Sequence, residues 1–474
     1  MNVDIIITNA FVLTMEGKGV GMMEDGAVAI KDNLIEAVGR SEDIKQSYSA
    51  AEEIDATGKL VMPGLIDAHI HTGLAIVRGV SQDINNWMQE GNWPFMKHVS
   101  ADHHQKGSMM NIIEGVKVGT TTFCDYDSHM NDIVPNYAKI GARARVAELI
   151  NEIPADIGDI PVGELYPFHA EIGDRKLQNN IRLLEQWHGA ENGRITCMLG
   201  PHGPDMMSRE LLKEVQALAE KYDTNVHMHV AQGDREIEQM VKRYGKRSIP
   251  FLDEIGYLNE RLLAVHLTEA TKEETELVAK RGAAMINCSG SIGIIDGIVP
   301  PLHEFIEAGG SAALGSDQAP GNNCNNMFNE MKFAAILNKV KHTDPAMFPA
   351  HLALRLVTID AAEAVGLGEE VGSLKAGKKA DLLIVDLAEP SLSPVITSPI
   401  RNIVPNLVYS AKGSEVEAVM VDGQFIMRER RLQTVDETNE LQAAQAAARE
   451  ISQSAECTIH PESVLLKRME AGEL

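Results

Sequence analysis

Several things are scarce in this 474-residue chain, and each scarcity excludes something. It has five cysteines, Cys124, Cys197, Cys288, Cys324 and Cys457, with no CxxC spacing among them. So sparse and odd a set excludes a disulfide framework and reads as the reduced thiols of a cytoplasmic protein. No run of about 18 apolar residues occurs, so no membrane span is expected. The apolar start MNVDIIITNAFVLTM lacks a basic flank and a small-residue cleavage site, so it reads as a strand and not a signal peptide. Basic residues are outnumbered, 43 Lys and Arg against 68 Asp and Glu, for a net charge of −25. That balance argues against nucleic acid and anionic membrane surfaces as partners. No GxGxxG follows the early strands, against a doubly wound dinucleotide-binding sheet. No internal repeat or low-complexity tract is present.

What is there is an ordinary apolar content, 44% hydrophobic, in a chain long enough for one large barrel with an appendage. Residues 1–58 read as short strands, with Asp32-Asn33 at a hairpin turn. Residues 371–430 repeat the style, with Asp422-Gly423 as a second hairpin signal. Two β-rich ends around a different middle suggest that the ends pair into one small β-domain. Residues 59–370 alternate strand-like and helical runs. Candidate strands are GTTTFCDY (119–126), ARVAELI (144–150), RITCMLGP (194–201), NVHMHVA (225–231), LLAVHL (262–267), AAMINC (283–288) and SAALGSD (311–317). Between them lie helices with readable starts, Ser208 as an N-cap and Thr271 with Glu274 as a capping box. With LVMPGLIDAHIH the sum is about eight β-α units, the arithmetic of a (β/α)8 TIM barrel. Residues 431–474 read as a C-terminal helical tail.

In a parallel barrel the catalytic groups gather where strands end. Polar ligand types at those points are His69 and His71 in IDAHIH, His202 in GPHGP, His229 in HMHVAQ, His266 in AVHLTE and Asp317 in ALGSDQ. A lone HxH is common by chance. Three histidines and one aspartate on the first, fifth and eighth strands together suit zinc or ferrous iron. His227 reads as interior packing. His104 reads, with most other histidines, as a surface or loop residue. Trp87 either buries a long loop or stacks on a flat ring. GNNCNNMFNEM (321–331) either caps the next helix or contacts substrate through Asn322.

The motifs PGLIDAHIH, GTTTFCD, GPHGP, HMHVAQ, AVH, ALGSD and VGSLKAGKKADLLIVDL span residues 60–386 and resemble those of the amidohydrolase superfamily. The resemblance is to the branch that holds methylthioadenosine/S-adenosylhomocysteine deaminases, aminoheterocycle deaminases and triazine hydrolases such as atrazine chlorohydrolase. It implies a (β/α)8 barrel with a small flanking β-sandwich built from both chain ends, and a homo-oligomer, dimer or tetramer. It implies one divalent metal ion, zinc before iron, on His69, His71, His229 and Asp317. His266 would then polarise the substrate or stabilise the attacking oxygen, Asp317 would take the proton from water, and His202 would contact substrate.

Three departures matter. Relatives carry H-x-x-E on the fifth strand, where the glutamate protonates the ring or leaving group; here Gln232 stands, and an amide cannot act as a general acid. The W-P-x-E segment that serves ribose hydroxyls reads NWPFM, with Met96 in the glutamate's place. A diol would lose a partner worth about 1.5–3 kcal/mol, which favours a free heterocycle over a nucleoside. NCSGSIGIID (287–296) replaces an H-C-P-x-S-N-like run. The expected activity is hydrolysis that replaces an amino or halide-type substituent of a small nitrogen heterocycle. The alternatives are ring opening of a cyclic amide or amidine, and a non-catalytic metal-bound binding protein. Gln232 itself admits three explanations: another acid such as Asp234 or Glu236, a leaving group that needs no proton, or a dead site.

Overall fold

Strands from both chain ends share one nine-stranded sheet in the computed structural model, which describes residues 1–154, 160 and 163–474. Its order is Arg431–Leu432, Gln424–Arg428, Val416–Val421, Leu382–Asp386, Lys59–Pro63, Asn2–Leu13, Met22–Lys31 and Leu34–Arg40, with Ser49–Asp55 also paired to Asn2–Leu13. The two turns read from the sequence are here. Asp32 (φ 54°) links Met22–Lys31 to Leu34–Arg40, and Asp422 (φ 51°) with Gly423 (φ 77°) closes the hairpin that pairs Val421 with Gln424. Short polar side chains and glycine tolerate the left-handed backbone such tight turns need. The N-terminal share of the sheet reaches Pro63, past the boundary at 58 read from the sequence. Lys59–Pro63 extends it by pairing antiparallel with Leu382–Asp386.

The middle of the chain is mixed α/β with parallel strands in two sheets. One runs Gly200–Pro201, Arg143–Ile150, Thr120–Asp127, Leu65–His71, Asp317–Gln318, with Ile195–Cys197 added to Arg143–Ile150. The other runs Val226–Val230, Leu262–His266, Ala284–Asn287, Ala312–Leu314. A parallel bridge between Leu199 and Val226 connects them. Leu262–His266, Ala284–Asn287 and Ala312–Leu314 are apolar almost throughout and wholly buried, as strands covered on both faces must be. Ile66, Ala68, Cys124, Met198, Leu263 and Ile286 form the inner core that the two sheets enclose.

SAALGSD is not one continuous strand. It breaks into Ala312–Leu314 and Asp317–Gln318. Gly315 lies in the gap because a Cβ there would come within 2.8 Å of His69 N and Cβ. The missing side chain lets this chain segment press against Leu65–His71 and brings Asp317 beside its histidines.

Helix starts follow the sequence. Ser208 caps Arg209–Tyr222, and Thr271 with Glu274 forms a capping box on Lys272–Arg281. The tail helix Glu437–Ala455 packs Ala444, Ala447 and Ile451 onto Ile76 and Val77. Among the described residues no helix is long and apolar enough to cross a membrane.

Arg143, on a parallel strand, joins that region to the sheet of the chain ends. Its Nε and Nη2 donate to Asp381 at 2.7 and 3.0 Å, and both side chains are 2% exposed. Asp381 also accepts from the N–H of Asp422, at 2.8 Å. Asp381→Ala would leave the guanidinium buried without its bidentate partner. The expected loss of stability is about 3–5 kcal/mol, read as a lower midpoint in urea denaturation; a shift equivalent to less than about 1 kcal/mol would reduce the pair to the worth of a surface contact.

Candidate metal centre

Alternation along Leu65–His71 sends His69 and His71 to the same side of their strand. The neighbouring Asp317 meets both: its Oδ1 lies 3.5 Å from His69 Nε2 and 3.4 Å from His71 Nε2. His229, at the end of Val226–Val230, puts Nε2 3.3 Å from His69 Nε2. His266 ends the next strand and stacks on His229 with ring centroids 5.3 Å apart and planes 3° apart. The structure thus brings together five of the six residues that the sequence singled out at strand ends, and the sixth, His202, lies beside His229 with ring centroids 5.5 Å apart.

Hydrogen bonds at the far side of the rings decide what faces the centre. His229 Nδ1 donates to the carbonyl of His202 at 2.9 Å, so its Nε2 presents a lone pair. His69 Nδ1 lies 2.9 Å from His227 Nε2. With the proton on His69 Nδ1, its Nε2 also presents a lone pair, directly toward that of His229. Burial keeps these rings neutral, pushing His69 down to about 3, His229 well below its usual value and His266 to about 4. Two lone pairs that face each other repel unless a cation lies between them. Zinc at about 2.0–2.1 Å from each of four tetrahedral donors sets the donors about 3.3–3.4 Å apart, close to the spacings found here. Two groups of three donors that share His69, one of His69, His71 and Asp317 and the other of His69, His229 and His266, lie close enough together to hold a divalent metal. Both ring nitrogens of His266 are buried with no hydrogen-bond partner among the described residues, which suits a group waiting for one.

Backbone strain collects at the same strand ends. Ala231 (φ 53°), His266 (φ 76°), Leu267 (φ 51°) and Asp317 (φ 61°) all occupy the left-handed region without being glycine. Each such residue costs of order 1–3 kcal/mol, a cost found chiefly where function demands an orientation. Asp317 is held from behind. Asn325 Nδ2 donates to its carbonyl at 2.8 Å, and Ser291 Oγ donates to its Oδ2 at 2.5 Å. Ser291 comes from the departing NCSGSIGIID segment.

A cavity of about 630 Å³ opens above the centre. His71, His229 and Asp317 reach it from the metal-binding set, and Gln232, His202, Trp87 and Met96 line it as well. Asn322 is not among the lining residues: its amide donates to Ser316 O at 2.7 Å and Glu330 Oε1 at 2.8 Å, a structural use of the loop. The helix-cap reading of that loop falls to Asn326, which accepts from Phe328 N. His227 is more than packing, since it is the partner of His69. Other residues gave no signal in the sequence. Lys176 Nζ donates to Asn151 Oδ1 at 2.7 Å, and Asn151 Nδ2 donates to His202 Nδ1 at 3.0 Å, which turns the Nε2–H of His202 toward the cavity. His104, expected at the surface, is 4% exposed and lines the cavity.

Glu236 is pinned. It accepts from the N–H groups of Ala231 and Gln232 at 2.7 and 2.8 Å and from the hydroxyl of Ser248, although burial raises its pKa to about 8. It organises the start of the helix Gly233–Tyr244, from where it lines the cavity together with Asp234.

His227→Leu should weaken zinc retention by roughly 10–100-fold, the usual effect of removing a hydrogen-bond partner from a metal-bound histidine. Competition against a chromogenic chelator measures it, and an unchanged affinity would return His227 to simple packing.

Imidazoles gathered around a carboxylate, beneath an opening wide enough for water and a flat molecule, are the construction of a metal-dependent hydrolase. Comparison with known proteins makes this specific: the chain belongs to the amidohydrolase family, which it matches over residues 60–426. It is 34% identical to a 5′-deoxyadenosine deaminase of Methanosarcina mazei over 94% of this chain and 98% of that one. A zinc-bound adenosine deaminase from Xanthomonas campestris superposes with a TM-score of 0.87 at 27% identity, covering 95% of this chain and 99% of the other. A zinc complex of atrazine chlorohydrolase from Arthrobacter aurescens TC1 shares the fold, with a TM-score of 0.82 at 21% identity and coverage of 94% and 100%.

Proposed function

We propose that this protein hydrolyses a substituted nitrogen heterocycle, replacing an exocyclic amino group with a hydroxyl group and releasing ammonia. The observation that carries the reading is the convergence of donor atoms at the floor of the cavity, with His69 Nε2 3.3 Å from His229 Nε2 and 3.5 Å from Asp317 Oδ1. One zinc ion, held there with His71, would lower the pKa of a water molecule toward neutrality. Asp317 would receive the proton of that water and return it to the departing amine, a service that the Gln232 amide cannot give. Ser291 holds the Oδ2 oxygen of Asp317 and so fixes the carboxylate plane. Buried His266 stacks on His229 and would stabilise negative charge as it develops on the substrate. His202 offers its Nε2–H to a ring nitrogen, and Trp87 offers a face for stacking. The (β/α)8 barrel (59–370) would be formed by the two parallel sheets, and the flanking β-sandwich of residues 1–58 and 371–430 by the nine-stranded sheet, which also takes in Lys59–Pro63 and Arg431–Leu432. The deaminase relative supports the amino group as the one replaced.

A halide-type leaving group is the second reading, and Gln232 is what favours it. Chloride departs as an anion and needs no proton, whereas an amine does. The two readings separate on a panel of amino- and chloro-substituted purines, pyrimidines and triazines assayed with the zinc-loaded protein. Ammonia release from one or more of them is expected, with a product mass that reflects exchange of the substituent. Gain of one water with no loss of substituent would point to ring opening instead. Full zinc content with no turnover on the panel would overturn the enzymatic reading.

A further inference from the structure

Beside the metal centre, one wall of the cavity holds a hydrogen-bonded chain of side chains that runs in one direction. Asn151 follows directly on the strand Arg143–Ile150, Lys176 stands on the helix Ala170–Trp187, and His202 follows on Gly200–Pro201. Each of them lines the cavity. The backbone of His202 is fixed on both sides. Its N–H donates to Ile150 O at 2.8 Å, and its carbonyl accepts from His229 Nδ1 at 2.9 Å. The residue that orients one histidine of the metal centre therefore also carries a ring of its own at the cavity wall.

Asn151 sets the direction of the chain. Its Oδ1 accepts from the backbone N–H of Ile153 at 3.1 Å and from Lys176 Nζ at 2.7 Å. A backbone N–H and an ammonium group can only donate, so this arm of the buried amide is its oxygen. The other arm is then the NH2 group, which also can only donate. It lies 3.0 Å from His202 Nδ1, so that nitrogen accepts and carries no proton. The ring proton is left on Nε2, which has no hydrogen-bond partner among the described residues.

Such a donor discriminates between rings. It rewards a bare ring nitrogen or a carbonyl oxygen. Against a ring N–H or C–H it stays unpaired, which costs more than the bond gains. A histidine without this neighbour offers either tautomer, and would take both kinds of ring edge.

We infer that Asn151, held by Lys176 and by the N–H of Ile153, is a specificity-determining residue that locks His202 as a donor and so admits heterocycles that turn a hydrogen-bond acceptor to this wall. It acts through His202 and is a positioning residue. The inference rests on the hydrolysis proposed above and adds to it the residue that chooses the ring edge.

Asn151→Asp tests the lock. It keeps the oxygen that Lys176 and Ile153 use and changes only the arm that faces His202. That arm now accepts, so the ring proton moves to Nδ1 and Nε2 turns a lone pair to the cavity. NMR of zinc-loaded full-length protein labelled with nitrogen-15 histidine reads the tautomer, with His202→Gln to assign the signal. His202 should be protonated on Nε2 in the natural chain and on Nδ1 in the variant. A proton on Nδ1 in the natural chain, or one that stays on Nε2 in the variant, would overturn the lock.

Calorimetric binding reads the selection. The probes are adenine and its 1-, 3- and 7-deaza analogues, each of which exchanges one ring nitrogen for C–H. The natural chain should bind at least one analogue roughly tenfold to a hundredfold more weakly than adenine, for loss of the acceptor. On one such analogue Asn151→Asp should reverse the preference. Weakening of all four probes by the same factor would mean that Asn151 only braces its loop, and would overturn the selection. So would equal binding of the four by the natural chain, or binding of none. Absence of turnover across the amino- and chloro-substituted panel, with the tautomers and the binding pattern as expected, would overturn the hydrolysis and leave the lock standing.

Discussion

Gln232→Glu should raise ammonia release from an amino-substituted heterocycle by roughly 10²- to 10⁴-fold, the usual contribution of one well-placed general acid or base. The site needs little rearrangement to receive it. Gln232 caps the helix Gly233–Tyr244 and lines the cavity, and its N–H is already fixed by Glu236 at 2.8 Å. A carboxyl group on the same stem would reach the same point with a proton to give. In the natural chain the departing amine has to take its proton from Asp317 instead, and a rise of this size would favour the halide-type leaving group as the natural one. Release of chloride from a matched chloro-substituted probe should change by less than about tenfold, because an anion leaves without general-acid help. The gain in ammonia release should disappear as pH rises past the pKa of the new carboxyl group, since only its protonated form donates. A fall in ammonia release in this variant would mean that the amide itself holds the ring, and would sink the view of position 232 as a missing acid.

Asp317→Asn is expected to lower kcat/KM by about 10³-fold or more, within the range for loss of a general base compounded by loss of the anionic metal ligand. The carboxylate serves two purposes at this point. Its Oδ1 lies 3.5 and 3.4 Å from the two histidines of Leu65–His71, and its negative charge is the centre's own counterweight to a divalent cation. An amide brings no charge and cannot take a proton near neutral pH. The fold should survive, because the backbone there is held by Asn325 through the carbonyl of residue 317 and by the pairing of 317–318 with Leu65–His71. Zinc content, thermal midpoint and turnover measured on one preparation separate these effects. More than a tenth of wild-type activity at full zinc occupancy would show that another group takes the proton.

Much of the architecture was legible in the sequence because its signals are local. A parallel strand covered on both faces must be apolar for its length, so LLAVH and AAMIN announced themselves. Ser208, Thr271 and Asp422-Gly423 are read through hydrogen bonds or backbone angles only one to three residues away. Strand ends matter in an α/β fold, and polar residues at the end of an apolar run stand out. His69, His71, His229, His266 and Asp317 were therefore visible one motif at a time.

Other features needed the chain folded. Nothing near His104 in ADHHQKG distinguishes it from its neighbour His103, which is only partly buried. It is buried in the cavity wall because Gly73, on a different element, leaves the space for it. Asn322 sits in a polar loop straight after Asp317, the right place for a substrate contact, yet its amide is spent on Ser316 and Glu330. The use of His227 depends on which ring lies across the strands from it.

The sequence alone determined the kind of centre, its ligand types and the absence of an acid at position 232, since each depends on residue identity at a strand end. Only the tertiary structure decided which lone pairs face one another, that Glu236 is held by backbone N–H groups and a hydroxyl, and that His104 and Asp127 share one wall of the cavity. Those are distances between side chains on separate elements, and packing, not local order along the chain, sets them.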